Sequence, residues 1–310
     1  MKVLVTGGAG FIGSHTVEAL IESGAVVRVL DNLSKGKREN LPAHKQVTLI
    51  EGDIRNPQDV AKAMEGMTHV LHLAAQVSVQ ASVEDPPTSC SHNIQGFVNV
   101  LTAAKSHQIQ RFVYASSAAV YGVPQQVPVS EDDALAPISP YGLEKSINEQ
   151  YGQIFTYLFK FSSMGLRYFN VYGPRQDPSS PYAGVISKYL ECIEKKQPLL
   201  VFGDGKQTRD FIYVKDIAQA NVKALQGQTV QTCNVGTGKT WTLLEMIEAL
   251  SRAVEQPLEI KYLPPREGDI IHSSAKVTMI KEYIDFSASW ELVDGLKALA
   301  VDCGVLSRKT

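Results

Sequence analysis

The feature that most restricts this chain stands at its start, where Val3-Leu4-Val5-Thr6 leads directly into Gly7-Gly8-Ala9-Gly10-Phe11-Ile12-Gly13 and then into a segment of helical period. Spaced glycines after a strand let the backbone turn tightly and approach a pyrophosphate. The helix that follows offers unpaired N–H groups and the positive end of its dipole. The run fits GxGxxG from Gly8 and GxxGxxG from Gly7. A glycine turn alone serves any sharp bend; the strand–turn–helix order makes this one a dinucleotide site. The next apolar run ends in Asp31-Asn32. A carboxylate there accepts hydrogen bonds from both adenosine-ribose hydroxyls and repels a 2′-phosphate, which selects NAD over NADP.

Downstream, short β-branched runs alternate with helix-period segments. This pattern predicts strands at 3–6, 26–30, 47–50, 69–73, 111–116 and 162–168, with helices near 12–23, 57–65, 88–107 and 140–160. The fold class is therefore α/β, a doubly wound parallel sheet of Rossmann type with a smaller, interleaved α+β lobe. The expected division is 1–169 plus a return segment at about 214–236 for the cofactor, and 170–213 with 237–310 for the substrate. A chain of 310 residues, 44% hydrophobic, can bury cores for both lobes.

With 30 Lys+Arg against 32 Asp+Glu, the net charge of −2 gives no general attraction to nucleic acid or anionic membrane. No run has the length of a spanning helix and the start lacks signal-peptide character, so a cytoplasmic protein is expected. Cys90, Cys192, Cys233 and Cys303 form no CxxC pair. They read as reduced, mostly buried thiols, with no metal site and no disulfide framework.

The glycine fingerprint together with Tyr141-Gly142-Leu143-Glu144-Lys145 resembles the extended short-chain dehydrogenase/reductase family. GDIRNPQDV, HLAAQ, SSAAVYG, RYFNVYGPRQ, GDGKQTRDFIYVKD and PREGD extend the likeness to about residue 275. Within that family the chain looks most like the nucleotide-sugar 4-epimerases. The resemblance implies bound NAD, held by Gly7, Gly10, Phe11, Ile12, Gly13, Asp31, Asn32, Asp53, Ile54, Leu73, Ala74, Ala75, Asn93, Tyr141, Lys145 and Tyr168. It implies a UDP-sugar substrate held by Ser116, Ser117, Tyr141, Asn170, Val185, Phe202, Arg209, Arg266, Asp269 and Ser273. Helices 88–107 and 140–160 resemble the pair that forms a homodimer interface in the family.

The residue chemistry agrees. Tyr141 and Lys145 are four apart on one helix face. A phenol with a reference pKa of about 10 is a poor base at neutral pH, but a nearby ammonium and a positive nicotinamide favour its phenolate. Ser117 aligns with the family's catalytic hydroxyl, and Ser116 is the neighbouring, weaker candidate. The resembling 4,6-dehydratases place an Asp-Glu pair after that hydroxyl, and the UDP-glucuronate decarboxylases a Glu. Here Ala118-Ala119-Val120 follow, and alanines move no protons. What remains is oxidation at C4 by Tyr141 and NAD⁺, rotation of the 4-keto sugar about its diphosphate linkage, and re-reduction on the other face.

Arg209 and Arg266 match the family's phosphate-binding arginines, Asp269 a uridine-ribose contact and Asn170 a diphosphate contact. Phe202 could stack on uracil or serve as a core aromatic. At Ser273, counted on from Arg266, epimerases restricted to glucose and galactose carry tyrosine. Serine predicts acceptance of UDP-N-acetylglucosamine and UDP-N-acetylgalactosamine and leaves UDP-glucose and UDP-galactose open. The competing readings are a UDP-glucuronate 4-epimerase, another nucleotide-sugar oxidoreductase or dehydratase, and a non-catalytic NAD(H) sensor. The last should have lost Ser117, Tyr141 or Lys145, and all three are present.

Overall fold

The computed structural model describes residues 1–177, 184–265 and 270–307. Six strands, β1 (Lys2–Thr6), β2 (Val26–Asp31), β3 (Val47–Glu51), β4 (His69–His72), β5 (Arg111–Ser117) and β6 (Ser163–Tyr168), join a seventh, Cys233–Val235, in one parallel sheet. Its order is seventh–β6–β5–β4–β1–β2–β3. The order reverses at β1, so the crevice where a doubly wound sheet binds its ligand opens beside the glycine turn.

Side-chain alternation along β1 shows how the two faces are covered. Val3 and Val5 join Val17 and Leu20 of helix α1 (Phe11–Glu22) and Ile217 of the helix Val214–Gln226 in one core. Leu4 packs in another core with Val60 of helix α2 (Pro57–Met64), Phe97 and Phe112. A third core belongs to the smaller lobe, where the helices Val185–Glu194, Leu243–Ala253 and Leu292–Asp302 meet through Leu190, Leu250 and Leu296.

Three expectations are corrected. Helix 88–107 begins at Pro86, behind an Asp85 cap, and is interrupted by a π turn at Ser91–Gln95; a further helix, Val79–Glu84, precedes it behind a Ser78 cap. Periodicity cannot register a single added residue within a helix, whereas buried Asn93 gains its partners there. Second, the helix Thr278–Ile284 does not serve the smaller lobe: Ile280, Ile284 and Phe286 pack in the core of the main sheet. Third, only Cys233 is buried; Cys90 is exposed and Cys192 and Cys303 are intermediate.

Candidate active site

The glycine turn is fixed by backbone crowding. Gly7 has φ +70°, and a Cβ there would stand 2.7 Å from the Ala74 nitrogen. At Gly13 a Cβ would collide with the Gly7 carbonyl oxygen and stand 2.7 Å from Gly8 Cα. Helix α1 opens at Gly10 with no side-chain cap and no acidic residue in its first turn, leaving its positive end for an anion. Phe11 and Ile12 face the smaller lobe and pack against its core.

Asp31 is buried and closes the turn. Its Oδ2 accepts the Ala9 N–H at 2.9 Å and its Oδ1 accepts the Leu33 N–H at 2.9 Å. Each oxygen keeps a further lone pair, the capacity that a ribose diol requires. Asn32 donates to Asp53 Oδ2 at 3.1 Å, bringing two sequence-remote candidates together. The Arg55 guanidinium holds the Asp53 carboxyl below the usual carboxylate range. Beneath the turn, Thr6 Oγ1 meets His72 Nδ1 at 2.8 Å, and burial pushes that imidazole down to about 3, so it is neutral. Leu73, Ala74 and Ala75 remain partly exposed beyond β4. The uncapped helix, the crowded glycines and the anchored carboxylate together fit a dinucleotide.

Ser139 caps the long helix Pro140–Phe159 by accepting the Gly142 N–H at 3.1 Å, and Pro140 at its first position fixes the start. Tyr141 and Lys145 therefore occupy its first two turns. Ser117 Oγ accepts the Ala119 N–H at 3.2 Å and stands by the Tyr141 phenol, where it favours ionisation of that phenol. Lys145 Nζ donates to the Ala115 carbonyl at 3.0 Å and lies 5.8 Å from the Tyr141 ring centroid.

The electrostatics correct the simple picture of an ammonium-stabilised phenolate. Burial raises the Tyr141 phenol above its ordinary value, the Ser117 hydroxyl opposes that, and Glu144 adds to it. Lys145 is itself pushed down to about 8 by burial. The protein matrix alone holds Tyr141 as a phenol.

Several expected contacts are redirected. Ser116 is buried and donates to Glu149, on the face of β5 opposite Ser117. The Tyr168 hydroxyl is bound to Asn221 Oδ1 at 2.6 Å, leaving its main chain as the part that can meet a cofactor. The Ile54 side chain lies in the core against Gly96.

In the smaller lobe the two-residue strand His272–Ser273 pairs in parallel with Thr208–Arg209, setting Ser273 directly across from Arg209. The Arg209 guanidinium donates to the carbonyls of Thr208 at 2.8 Å and Ile270 at 2.6 Å. Asn170 donates through Nδ2 to the Asp210 carbonyl at 3.2 Å. Val185 opens the helix Val185–Glu194, and Phe202 ends the strand Leu199–Phe202; both are partly buried. Arg266 and Asp269 lie outside the described residues.

Sequence reasoning missed three buried groups. Asp210 accepts from Thr237, Gly238 and Ala275 and ties the arginine strand to the loop after the seventh strand. Glu149 pairs bidentately with Arg167 at 2.9 and 2.8 Å. Glu144, within the Tyr141/Lys145 motif, accepts from Ser89 and Asn93. A charge at a helix position flanked by functional residues was the one available signal.

Comparison with known proteins agrees with this geometry. A family model described as "NAD dependent epimerase/dehydratase family" matches residues 3–236. UDP-glucose 4-epimerase of Mycolicibacterium smegmatis is 36% identical over 304 residues, covering 96% of each chain. UDP-N-acetylglucosamine 4-epimerase from Methanobrevibacter ruminantium, solved with UDP-N-acetylmuramic acid, superposes with a TM-score of 0.93 at 39% identity, covering 96% of each chain. UDP-glucose 4-epimerase of Thermus thermophilus, solved with NAD, superposes with a TM-score of 0.90 at 37% identity, covering 98% of this chain and 99% of that one.

Proposed function

This chain belongs to the NAD dependent epimerase/dehydratase family, and from that premise we propose that it inverts C4 of UDP-N-acetylhexosamines through a transient 4-keto sugar. It is an NAD-dependent isomerase, a 4-epimerase of UDP-sugars. The choice of sugar and the residue roles are what the proposal adds. The observation that carries the reaction is Lys145 Nζ held on the Ala115 carbonyl 5.8 Å from the Tyr141 ring, with Ser117 two residues beyond that carbonyl and alanines at the next two positions.

Oxidised NAD supplies the hydride acceptor and a positive ring. Ser117 orients substrate O4 against the Tyr141 phenol. Tyr141 takes the O4 proton as C4 is oxidised and returns it after the sugar has turned. Lys145, anchored on the Ala115 carbonyl, holds the nicotinamide ribose. Ala118 and Ala119 after Ser117 supply none of the acid and base that a dehydration of the 4-keto sugar needs there.

Ser273 across from Arg209 supports the N-acetylated sugars. If Arg209 anchors the diphosphate, the residue beside it bounds the hexose, and a serine leaves room at C2. Replacing Ser273 with Tyr is expected to lower UDP-N-acetylglucosamine turnover about 10²-fold while sparing UDP-glucose exchange. Chromatographic separation of the epimers reads both, and equal loss of the two activities would refute the gate.

We further propose a homodimer through the helices Pro140–Phe159 and Pro86–Cys90 with its continuation. Ile154, Tyr157 and Leu158 are exposed on the first, and Pro87, Ile94 and Val98 line a groove with Tyr151. Ile154→Asp with Tyr157→Asp should convert a dimer to a monomer in sedimentation. A monomeric parent protein would contradict this face.

A further inference from the structure

Glu144 lies between Tyr141 and Lys145 on the catalytic helix, yet neither proton transfer nor cofactor binding as described uses it. The residue is buried, and its Oε2 accepts the Ser89 hydroxyl at 2.8 Å and Asn93 Nδ2 at 2.7 Å. Asn93 in turn clamps the backbone of one residue: its Nδ2 donates to the Gln76 carbonyl at 2.8 Å and its Oδ1 accepts the Gln76 N–H at 2.8 Å. Gln76 directly follows Leu73-Ala74-Ala75, the edge of the cofactor crevice beyond β4. The π turn Ser91–Gln95 carries Asn93 and belongs to the helix run that also bears Ser89. A carboxylate on the catalytic helix is thus tied through one amide to the cofactor side of the site.

Both donors to Glu144 are neutral, so its hydrogen bonds alone would be served by a neutral acceptor. The charge acts further out, on the two residues flanking it in the motif. We propose that Glu144 is a positioning residue that holds the Asn93–Gln76 clamp and whose negative charge sets the pH range over which Tyr141 and Lys145 work together. This rests on Tyr141 and Lys145 being the catalytic pair.

Other ionisable groups face the pair. Glu149, on the same helix, is paired with Arg167 of β6 and still acts on Lys145, after Glu144. His72 of β4 is neutral. The π-turn helix contributes the uncharged Ser89 and Asn93, and β5 the Ser117 hydroxyl and the Ala115 carbonyl.

The direction of the effect follows from charge. Burial lowers Lys145 to about 8, and Glu144 and then Glu149 oppose that fall. Burial raises Tyr141, and Glu144 adds to the rise. Removing one negative charge makes both groups lose their protons at lower pH. The base becomes available earlier and the ammonium is lost earlier, so both limbs of a bell-shaped profile slide toward acid together.

Glu144→Gln keeps an acceptor oxygen for Ser89 and Asn93 and removes the charge. Both limbs of kcat/KM are expected to move acidward by about one pH unit. The ultraviolet phenolate titration of Tyr141, taken as the difference from Tyr141→Phe, should move the same way with NAD retention unchanged. Glu144→Ala also breaks the clamp and should weaken NAD retention about tenfold. If the Gln variant leaves the limbs and the phenolate titration in place, or the Ala variant retains NAD like the parent, the proposal fails. The titration and the NAD content need no turnover, so they judge Glu144 separately from the proposed reaction. Failure of that reaction would instead appear as full activity in Tyr141→Phe.

Discussion

Tyr141→Phe is expected to lower kcat for C4 inversion about 10³-fold while leaving NAD bound in the purified protein. The magnitude is that of losing a positioned proton carrier, about 4 kcal/mol of barrier. The substitution keeps the ring in its half-buried seat and removes only the hydroxyl that meets Ser117. No other residue described around Ser117 can take its place: Ala118 and Ala119 are inert, and Ser116 is turned into the core and occupied by Glu149. Lys145 should behave differently. Its ammonium sits near the phenol and is bonded to the Ala115 carbonyl, so Lys145→Met should reduce both turnover and NAD retention. Cofactor content by absorbance after denaturation, measured beside the rate, separates the two roles. A Tyr141→Phe variant within a few-fold of the parent rate would remove Tyr141 from the chemistry.

The second large effect concerns the glycine turn. Gly13→Ala places a methyl against the Gly7 carbonyl and within 2.7 Å of Gly8 Cα, both backbone atoms that no rotamer change can move aside. The turn must shift, and its N–H groups lose their aim at the pyrophosphate. Overpacking of this kind costs about 1–3 kcal/mol in stability, and NAD retention should fall below detection. Gly10→Ala is the matched comparison, since its nearest obstacle is the Gly7 oxygen at 3.2 Å, and its loss should be smaller. Equal NAD content in Gly13→Ala and the parent protein would contradict the assignment of the turn.

How far these sites are legible in the sequence depends on whether the chemistry is local. The glycine turn, Asp31 and the Tyr141/Lys145 spacing are contiguous, and strand–turn–helix order or a helical turn converts spacing into geometry directly. The sheet was legible for the same reason, because each buried strand is a short apolar run. What spacing could not supply is direction. Ser116 and Ser117 look alike in sequence, and only the pleat of β5 sends one to Glu149 and the other to Tyr141. Tyr168 reads as a site residue until Asn221, far along the chain, is found holding its hydroxyl. The π turn at Ser91–Gln95 was invisible because it adds one residue to a helix without changing its composition. The spacing from Arg266 points to Ser273, whereas its place across from Arg209 is set by a two-residue strand pair that leaves no periodic trace.

The most direct test of the central claim is to supply UDP-N-acetylglucosamine deuterated at C4 to the protein as purified, without added cofactor, and read the product by NMR. Transient oxidation with the hydride retained predicts UDP-N-acetylgalactosamine that still carries deuterium at C4, with no accumulation of NADH or keto sugar. Deuterium lost to solvent, a stable keto product, or no inversion of any UDP-hexose in a panel would contradict it.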